Sequence, residues 1–249
     1  MKPLVEYALR LGDDSLVLGQ RLSEWCGHAP MLEIDLALAN IALDLVGQTT
    51  HFLGLAGSLE GEGRDADALA FGRDVLDFRN VLLVEQPNGD FAQTIARQFL
   101  FSNWQELLLR ELAGSRNETI AAISAKAVKE VAYHARFANE WMIRLGDGTE
   151  ESRDRVVAGL DWMWRFVDEL FAVDETIQAL IADGIAGDVS SLRPEWDARI
   201  AATLAEAKLE TPKPRRAVTG GRTGHHSEHL GNLLSEMQFL PRAYPGAVW

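Results

Sequence analysis

The sequence has little cysteine and a deficit of basic residues. Cys26 is the only cysteine among 249 residues, so the chain cannot form an intrachain disulfide. Lysine and arginine total 24 against 37 aspartates and glutamates, which gives a formal net charge of -13. An acidic chain repels a phosphate backbone, so we expect no nucleic acid partner.

The sequence also lacks an uninterrupted apolar run of the roughly 20 residues that a membrane span needs. The apolar segment 31–47 is interrupted by Glu33, Asp35 and Asp44. The N-terminus reaches charged residues too early for a secretory signal. With 47% hydrophobic residues the chain can still bury a substantial core. We therefore expect a folded, cytoplasmic protein with no membrane partner.

Helical periodicity is abundant. Apolar residues recur every three or four positions along most of the chain, as on the buried face of a helix. Long helices are predicted over 4–26, 32–58, 91–115, 118–148 and 151–173, with a short one near 65–74. The one run that resembles a strand is Val81–Val84, and it carries little weight.

These helices predict the fold class. Four long helices in two consecutive antiparallel pairs are the ground plan of a ferritin-like bundle. We predict an all-α, ferritin-like four-helix bundle with additional flanking helices, forming a single domain over residues 1–249. The core bundle is expected at about 4–172, and C-terminal helices and a tail at about 173–249.

The first helix pair is tested against the ligand pattern of a di-iron bundle. Each pair in such a protein supplies a carboxylate from its first helix and Glu-x-x-His from its second, because residues three apart share a helix face. Here Asp14 and Asp44 could be the acids, but the third position after Asp44 is Gly47. Buried acids are costly alone, so these two should pair with Arg or Lys, bond hydroxyls or reach solvent.

The second pair fails in the same way. Glu130, in "KEVAYHARF", is followed at the third position by Tyr133, and His134 is one position out of phase. Thirty residues before Glu130 lies Leu100 rather than an acid. No Asp or Glu in the sequence is followed by His at the third position. We interpret Asp14, Asp44 and Glu130 as vacated ligand positions. Glu130 and His134 can instead share a hydrogen bond on one helix face.

Four stretches carry a resemblance to a known family. In chain order they are "YALRLGDDSLVLGQRLSEWCGHAPMLEIDLALANIALDLVGQ", "LLVEQPNGDFAQTIARQF", "AAISAKAVKEVAYHARF" and "TGHHSEHLGNLLSEMQFL". They resemble the PaaC family, the C subunits of phenylacetyl-CoA epoxidase. The resemblance implies a noncatalytic structural subunit that binds no cofactor and stabilises the di-iron catalytic A subunit. It also implies other subunits, including a flavin and iron–sulfur reductase, and contact with phenylacetyl-CoA only through the complex.

Two regions are candidates for proximity to the CoA ester. The resemblance suggests that the assembled complex places the ester near Asp77, Phe78, Arg79 and Asn80 and near Gln178, Ala179 and Leu180. An arginine fork suits phosphate groups. Alternatively, Arg79 forms an ion pair with a neighbouring acid, which we favour.

A cluster near the C-terminus could bind a metal. His225, His226, Glu228 and His229 lie within five residues, and His225 and His229 are one turn apart if a helix has begun there. Such a pair could hold zinc. Alternatively, Thr223 caps the helix and the acid falls in its early turns.

Two functions of different classes remain. The first is a noncatalytic assembly subunit of the epoxidase in aerobic phenylacetate degradation. The second is a ferritin-like di-iron carboxylate oxygenase or oxidase in its own right, with an irregular ligand set. The missing Asp/Glu-x-x-His motif favours the first. A homodimer is also expected, because a partner-binding apolar surface left exposed tends to self-associate.

Overall fold

The computed structural model describes residues 2–247. It is 73% helical and has no strand within the described residues, so the predicted all-α class is confirmed. In chain order the α-helices are α1 (Pro3–Ser23), α2 (Leu32–Glu60), α3 (Ala66–Phe71), α4 (Leu82–Glu85), α5 (Phe91–Leu112), α6 (Glu118–Gly146), α7 (Glu150–Met163), α8 (Glu175–Ala182), α9 (Arg193–Glu206), α10 (Glu228–Met237) and α11 (Phe239–Ala243). Short 3₁₀ helices span Val75–Asp77, Trp164–Phe171, Val189–Leu192 and Gly221–Thr223.

The described residues fall into two compact units. The first combines residues 2–86 with residues 220–247, and the second is Pro87–Thr219. The C-terminal segment therefore belongs with the N-terminal helices. The single domain predicted for the whole chain stays a prediction.

The first unit is built on the pair α1 and α2, which pack along each other. Leu18, Leu22, Leu38, Ile41 and Leu45 are completely buried in it. Helix α1 is buried on nearly every side, and its buried residues include charged ones. Because an apolar environment surrounds α1, each of those charges needs a partner.

The second unit is built on the pair α5 and α6, with α7 and α9 packed against it. Both long helices begin with a side-chain cap. Asp90 accepts a hydrogen bond from the Gln93 amide at 2.9 Å, and Asn117 accepts one from the Ile120 amide at 3.0 Å. Each cap satisfies one of the amides that a helix start leaves without an internal partner.

Two local predictions are corrected. The strand-like run Val81–Val84 forms most of α4. The helix predicted over 151–173 is α-helical only to Met163 and continues as a 3₁₀ helix. The rings of Trp164 and Phe171 lie 5.8 and 5.4 Å from the ring of Trp196, which is buried on α9. The 3₁₀ segment thus packs against α9, which is distant in sequence. A local apolar pattern contains no information about such packing.

No helix within residues 2–247 is both long enough and apolar enough to cross a membrane.

Two glycines of α2 test how tightly the first unit is packed. A Cβ at Gly57 would lie 2.0 Å from the Arg64 carbonyl oxygen, whereas a Cβ at Gly54 would have no neighbour within 4 Å. We expect Gly57→Ala to lower the free energy of unfolding by about 1–3 kcal/mol through overpacking. Gly54→Ala should raise it by about 0.5–1 kcal/mol, because alanine is the better helix former. Urea denaturation of both variants checks this, and equal effects would contradict the described packing.

Candidate functional site

Two adjacent aspartates of α1 lie inside the first unit. Asp13 has no exposed surface and Asp14 is 2% exposed. A carboxylate removed from water is strongly unfavourable unless it is paired and hydrogen-bonded. The surrounding residues should therefore supply positive charge and hydrogen-bond donors. Arginine side chains and backbone amides supply both.

Asp14 forms a two-point ion pair with Arg222. Arg222 Nη1 lies 3.0 Å from Asp14 Oδ1, and Nη2 lies 2.8 Å from Oδ2. The backbone amide of Val81 also donates to Oδ1, at 2.8 Å. A guanidinium fork matches a carboxylate in this way and fixes its orientation. Asp14 is thus paired with an arginine, one of the three environments expected for it.

Arg222 reaches Asp14 because the backbone beside it approaches the loop before α4 closely. A Cβ at Gly221 would lie 2.0 Å from the Asn80 carbonyl oxygen, so glycine is required there. Arg222 Nη1 also donates to the Arg79 carbonyl oxygen at 2.8 Å. The arginine therefore joins α1, the loop and the C-terminal segment.

Asp13 is paired separately. Arg73 donates to both carboxylate oxygens of Asp13, with Nη1 3.0 Å from Oδ2. The backbone amide of Arg79 donates to Oδ2 at 2.8 Å. The guanidinium of Arg73 lies 4.4 Å from the centre of the Phe78 ring, a cation–π contact. The loop before α4 is thereby held against α1.

Glu85 and His226 form a third buried pair, with 0% and 1% of their side chains exposed. His226 Nδ1 lies 2.7 Å from Glu85 Oε2, and Nε2 lies 3.0 Å from the Phe78 carbonyl oxygen. The Ser227 amide donates to Glu85 Oε1 at 2.6 Å, and Asn80 Nδ2 donates to Oε2 at 3.0 Å. Donors surround both carboxylate oxygens of Glu85. Both ring nitrogens of His226 face acceptors, and a ring protonated on both nitrogens would satisfy both contacts.

The electrostatics agree with this geometry. Burial alone would lower the pKa of His226, but the hydrogen bond and charge of Glu85 outweigh it, and the pKa lies above its usual value of 6.5. Burial raises the pKa of Asp14 to about 6, although Arg222 and the Val81 amide pull it down. Burial also raises the pKa of Tyr7, so its phenol stays neutral.

We call these three acid–cation pairs the ionic cluster. They are Asp13 with Arg73, Asp14 with Arg222, and Glu85 with His226. All six residues lie in the first unit. Each of the six carboxylate oxygens accepts at least one hydrogen bond from a cation or an amide. The cluster can hold separate chain segments together by charge, and its acids are already committed to those contacts.

The other two acids that the sequence offered as candidate ligands, Asp44 and Glu130, lie outside the cluster. Asp44 is partly exposed on α2, in the first unit, and Glu130 is partly exposed on α6, in the second. Lys126 Nζ lies 3.9 Å from Glu130 Oε1, and the Lys126 side chain is 69% exposed, so this lysine is solvated on the helix surface. On the same helix, His134 is buried while Tyr133 is 38% exposed.

The candidate CoA-ester residues divide between the units. Asp77 ends the 3₁₀ helix before the loop, and Phe78 and Asn80 are fully buried beside the ionic cluster. Arg79 Nε lies 3.3 Å from Glu6 Oε1, so Arg79 makes the ion pair that the alternative interpretation predicted.

The remaining candidates, Gln178, Ala179 and Leu180, lie on α8 in the second unit, and of these three Leu180 is buried. Proximity of either region to the ester stays a prediction.

The histidines near the C-terminus do not act together. His225 is exposed and its Nδ1 lies 3.0 Å from Thr223 Oγ1, whereas His226 points inward to Glu85. Helix α10 begins at Glu228, after His225, so the one-turn spacing of His225 and His229 does not arise. The predicted capping role of Thr223 is wrong, because Thr223 lies in a separate 3₁₀ helix and Ser227 occupies the cap position.

The sequence did not single out Arg73, Glu85 or Arg222. The sequence did indicate that such partners exist, because two adjacent acids within an apolar helix require cations nearby. That signal gives the charge of the partners but not their position. Arg73 is 60 residues from Asp13, and Arg222 is 208 residues from Asp14.

The residues do not fit a di-iron centre. Such a centre needs carboxylate and imidazole lone pairs directed at metal ions, whereas both oxygens of Asp14 already bond Arg222. Within residues 2–247, no group of three or more His, Cys, Asp and Glu side chains could hold a metal ion.

Removing the cation from Asp14 should cost much stability. We expect Arg222→Met to lower the free energy of unfolding by about 3–5 kcal/mol, because it leaves a buried carboxylate uncompensated. The matched control is Arg155→Met, since Arg155 pairs with Glu151 with both side chains more than half exposed, and it should cost less than about 1 kcal/mol. Urea denaturation measures both. Adding Asp14→Asn to Arg222→Met should restore part of the loss, and equal losses for the two arginine variants would contradict the role of the pair.

His226 should make stability depend on pH. Its folded-state pKa is raised above 6.5 by Glu85, with Asp13 adding to the effect. The stabilisation is complete below the unfolded pKa and is lost as pH rises through the folded pKa. We expect the free energy of unfolding to fall over that window in the natural chain and less steeply in His226→Gln. In ¹⁵N NMR at pH 6, both ring nitrogens should carry protons, and a neutral ring would refute the assignment.

Comparison with known proteins gives the relationship of this chain. It matches the family described as phenylacetic acid catabolic protein over residues 1–249. It is 53% identical over 249 residues, the full length of both chains, to the C subunit of 1,2-phenylacetyl-CoA epoxidase from Escherichia coli (strain K12). The resemblance found in the sequence is confirmed, and the all-α fold agrees with the ferritin-like class expected for this family. The chain belongs to the phenylacetic acid catabolic protein family.

Proposed function

We propose that this chain is a noncatalytic structural subunit of a 1,2-phenylacetyl-CoA epoxidase, and that it binds and stabilises the di-iron catalytic A subunit. In this role the chain carries no iron of its own and meets phenylacetyl-CoA only within the complex. The proposal draws on full-length similarity to a protein named as the C subunit of that epoxidase.

The observation that carries the noncatalytic part is the pair of Asp14 and Arg222. From the sequence spacing, Asp14 is the candidate for the carboxylate ligand that the first helix of a di-iron pair would supply. In this chain, the guanidinium of Arg222 supplies the positive charge at 2.8 and 3.0 Å from the two carboxylate oxygens. An arginine stays charged at any physiological pH and has no redox chemistry. The buried acid is thereby stabilised without a metal.

The structural part follows from how the arginine is held. Arg222 joins α1 to the loop before α4 through Asp14 and the Arg79 carbonyl oxygen. A rigid first unit can present a preformed surface, and preformed surfaces lose less entropy on binding. Stabilisation of a partner then follows by mass action, because binding to the folded partner shifts its unfolding equilibrium.

Iron content and activity test this proposal through Glu130. Glu130 is partly exposed, so Glu130→Gln should not disturb the fold. We expect the variant, coexpressed with the A subunit, to give a complex with unchanged iron content and unchanged epoxidase activity on phenylacetyl-CoA. The natural chain purified alone should be folded and contain far less than one iron per chain.

A second measurement addresses the partner. The A subunit should copurify with this chain and unfold at a lower temperature without it. Stoichiometric iron in the isolated chain, with loss of iron and activity in Glu130→Gln, would instead identify a di-iron oxygenase with an irregular ligand set.

A further inference from the structure

Helix α2 exposes a row of large apolar side chains in its first two thirds. The exposed fractions are 70% for Leu32, 56% for Leu36, 67% for Leu43 and 38% for Val46. The opposite face of the same helix, with Ile34, Leu38, Ile41 and Leu45, is buried in the first unit. A surface helix normally turns polar residues outward. Helix α2 therefore has a second apolar face, which packing within the first unit does not explain.

The exposed row has the spacing of a helix–helix seam. Its members are Leu32, Leu36, Ala39, Leu43, Val46 and Thr50, at alternating steps of four and three residues, and all are exposed except Ala39, which is partly buried. This is the 3.5-residue repeat with which one helix packs along another. The row extends over about 27 Å of helix. Near its end, a Cβ at Gly47 or Gly54 would have no neighbour within 4 Å, so the backbone of another helix can come close.

The charge on α2 selects the occupant. The helix carries four acids, Glu33, Asp35, Asp44 and Glu60, and no lysine or arginine. Asp35 accepts hydrogen bonds from the Gly27 and Ala29 amides, and Glu60 pairs with Arg64. Glu33 is exposed beside the row. Glu33 and Asp44 each adjoin a leucine of the row. If a second copy of α2 packed on this row, the interface would contain additional acidic residues and no lysine or arginine from α2. The two chains would each carry a net charge of -13. Like charges across an interface are unfavourable, whereas cations flanking an apolar row would be complementary.

We propose that this face of α2 docks a helix of the catalytic A subunit whose apolar seam is flanked by lysine and arginine. The inference rests on the function proposed above and names the surface through which that function is carried out. The leucines supply the buried area, and the acids set the partner and the register.

The test compares two sets of exposed apolar residues. In Leu36→Glu/Leu43→Glu, carboxylates replace the centre of the row, and both sites are exposed enough for the helix to persist. The matched control is Val157→Glu on α7, where Val157 is 47% exposed and lies outside the row. We expect the double variant to lose at least about tenfold in affinity for the purified A subunit, and the control to bind like the natural chain. Circular dichroism should give all three proteins the same helical content.

The electrostatic part has its own variant. Glu33→Lys keeps every leucine but reverses one flanking charge, so it should weaken binding and reduce the loss of affinity with added salt. This variant also tests the proposal if the double variant does not fold.

The outcomes are distinguishable. If the natural chain does not bind the A subunit, the proposed function fails. If it binds and the double variant and Glu33→Lys bind equally well, the function stands and the docking face is wrong. If the natural chain forms a dimer that the double variant abolishes, the face belongs to a second copy and the proposal is overturned.

Discussion

The ion pair between Asp14 and Arg222 is the constraint on which the first unit depends. A carboxylate with 3% of its side chain exposed cannot stay ionised there without a compensating cation. The compensating residue is 208 positions away, so the pair joins α1 to a segment that follows the second unit in the sequence. The same segment brings His226 to Glu85, four residues after Arg222 reaches Asp14. The first unit is therefore discontinuous in sequence, and its two segments are joined by these buried ion pairs as well as by apolar packing of α10.

The same interaction explains how a helical bundle can contain buried acids without binding a metal ion. A buried acid on a core helix can be compensated by a metal ion or by a side-chain cation, and the two solutions differ in what they allow. A metal site needs open lone pairs and tolerates exchange, whereas a guanidinium fork uses both oxygens and is fixed by the backbone. In this chain, Arg73 and Arg222 commit the oxygens of Asp13 and Asp14 to internal contacts. On the proposed function, the helical architecture is retained for assembly.

Local patterns predicted the long helices well and the contacts between distant segments poorly. The periodicity placed α2 at 32–58 against the observed Leu32–Glu60, because apolar spacing and the glycine-rich break after it are both local. It failed at Val81–Val84, most of which lies in α4, a helix that ends at Glu85, the partner of the distant His226. It also failed at Thr223, which lies in a separate 3₁₀ helix, whereas Ser227 is the residue that precedes α10. Asp14 could be identified from the sequence because it interrupts a local apolar pattern. Arg222 could not, because it lies 208 residues away.

Helices α1 and α2 divide the requirements of stability and assembly between them. Helix α1 is enclosed, so its charges must be neutralised within the chain. Helix α2 is apolar on two faces, and only one of them is covered by the first unit. Leucines left in water favour association of identical chains. Helix α2 opposes this, because it has acids beside the row and no lysine or arginine that would attract the acids of a second copy. An acidic helix with an uncovered apolar row therefore favours a basic partner over itself, which is the property that a subunit of a mixed complex requires.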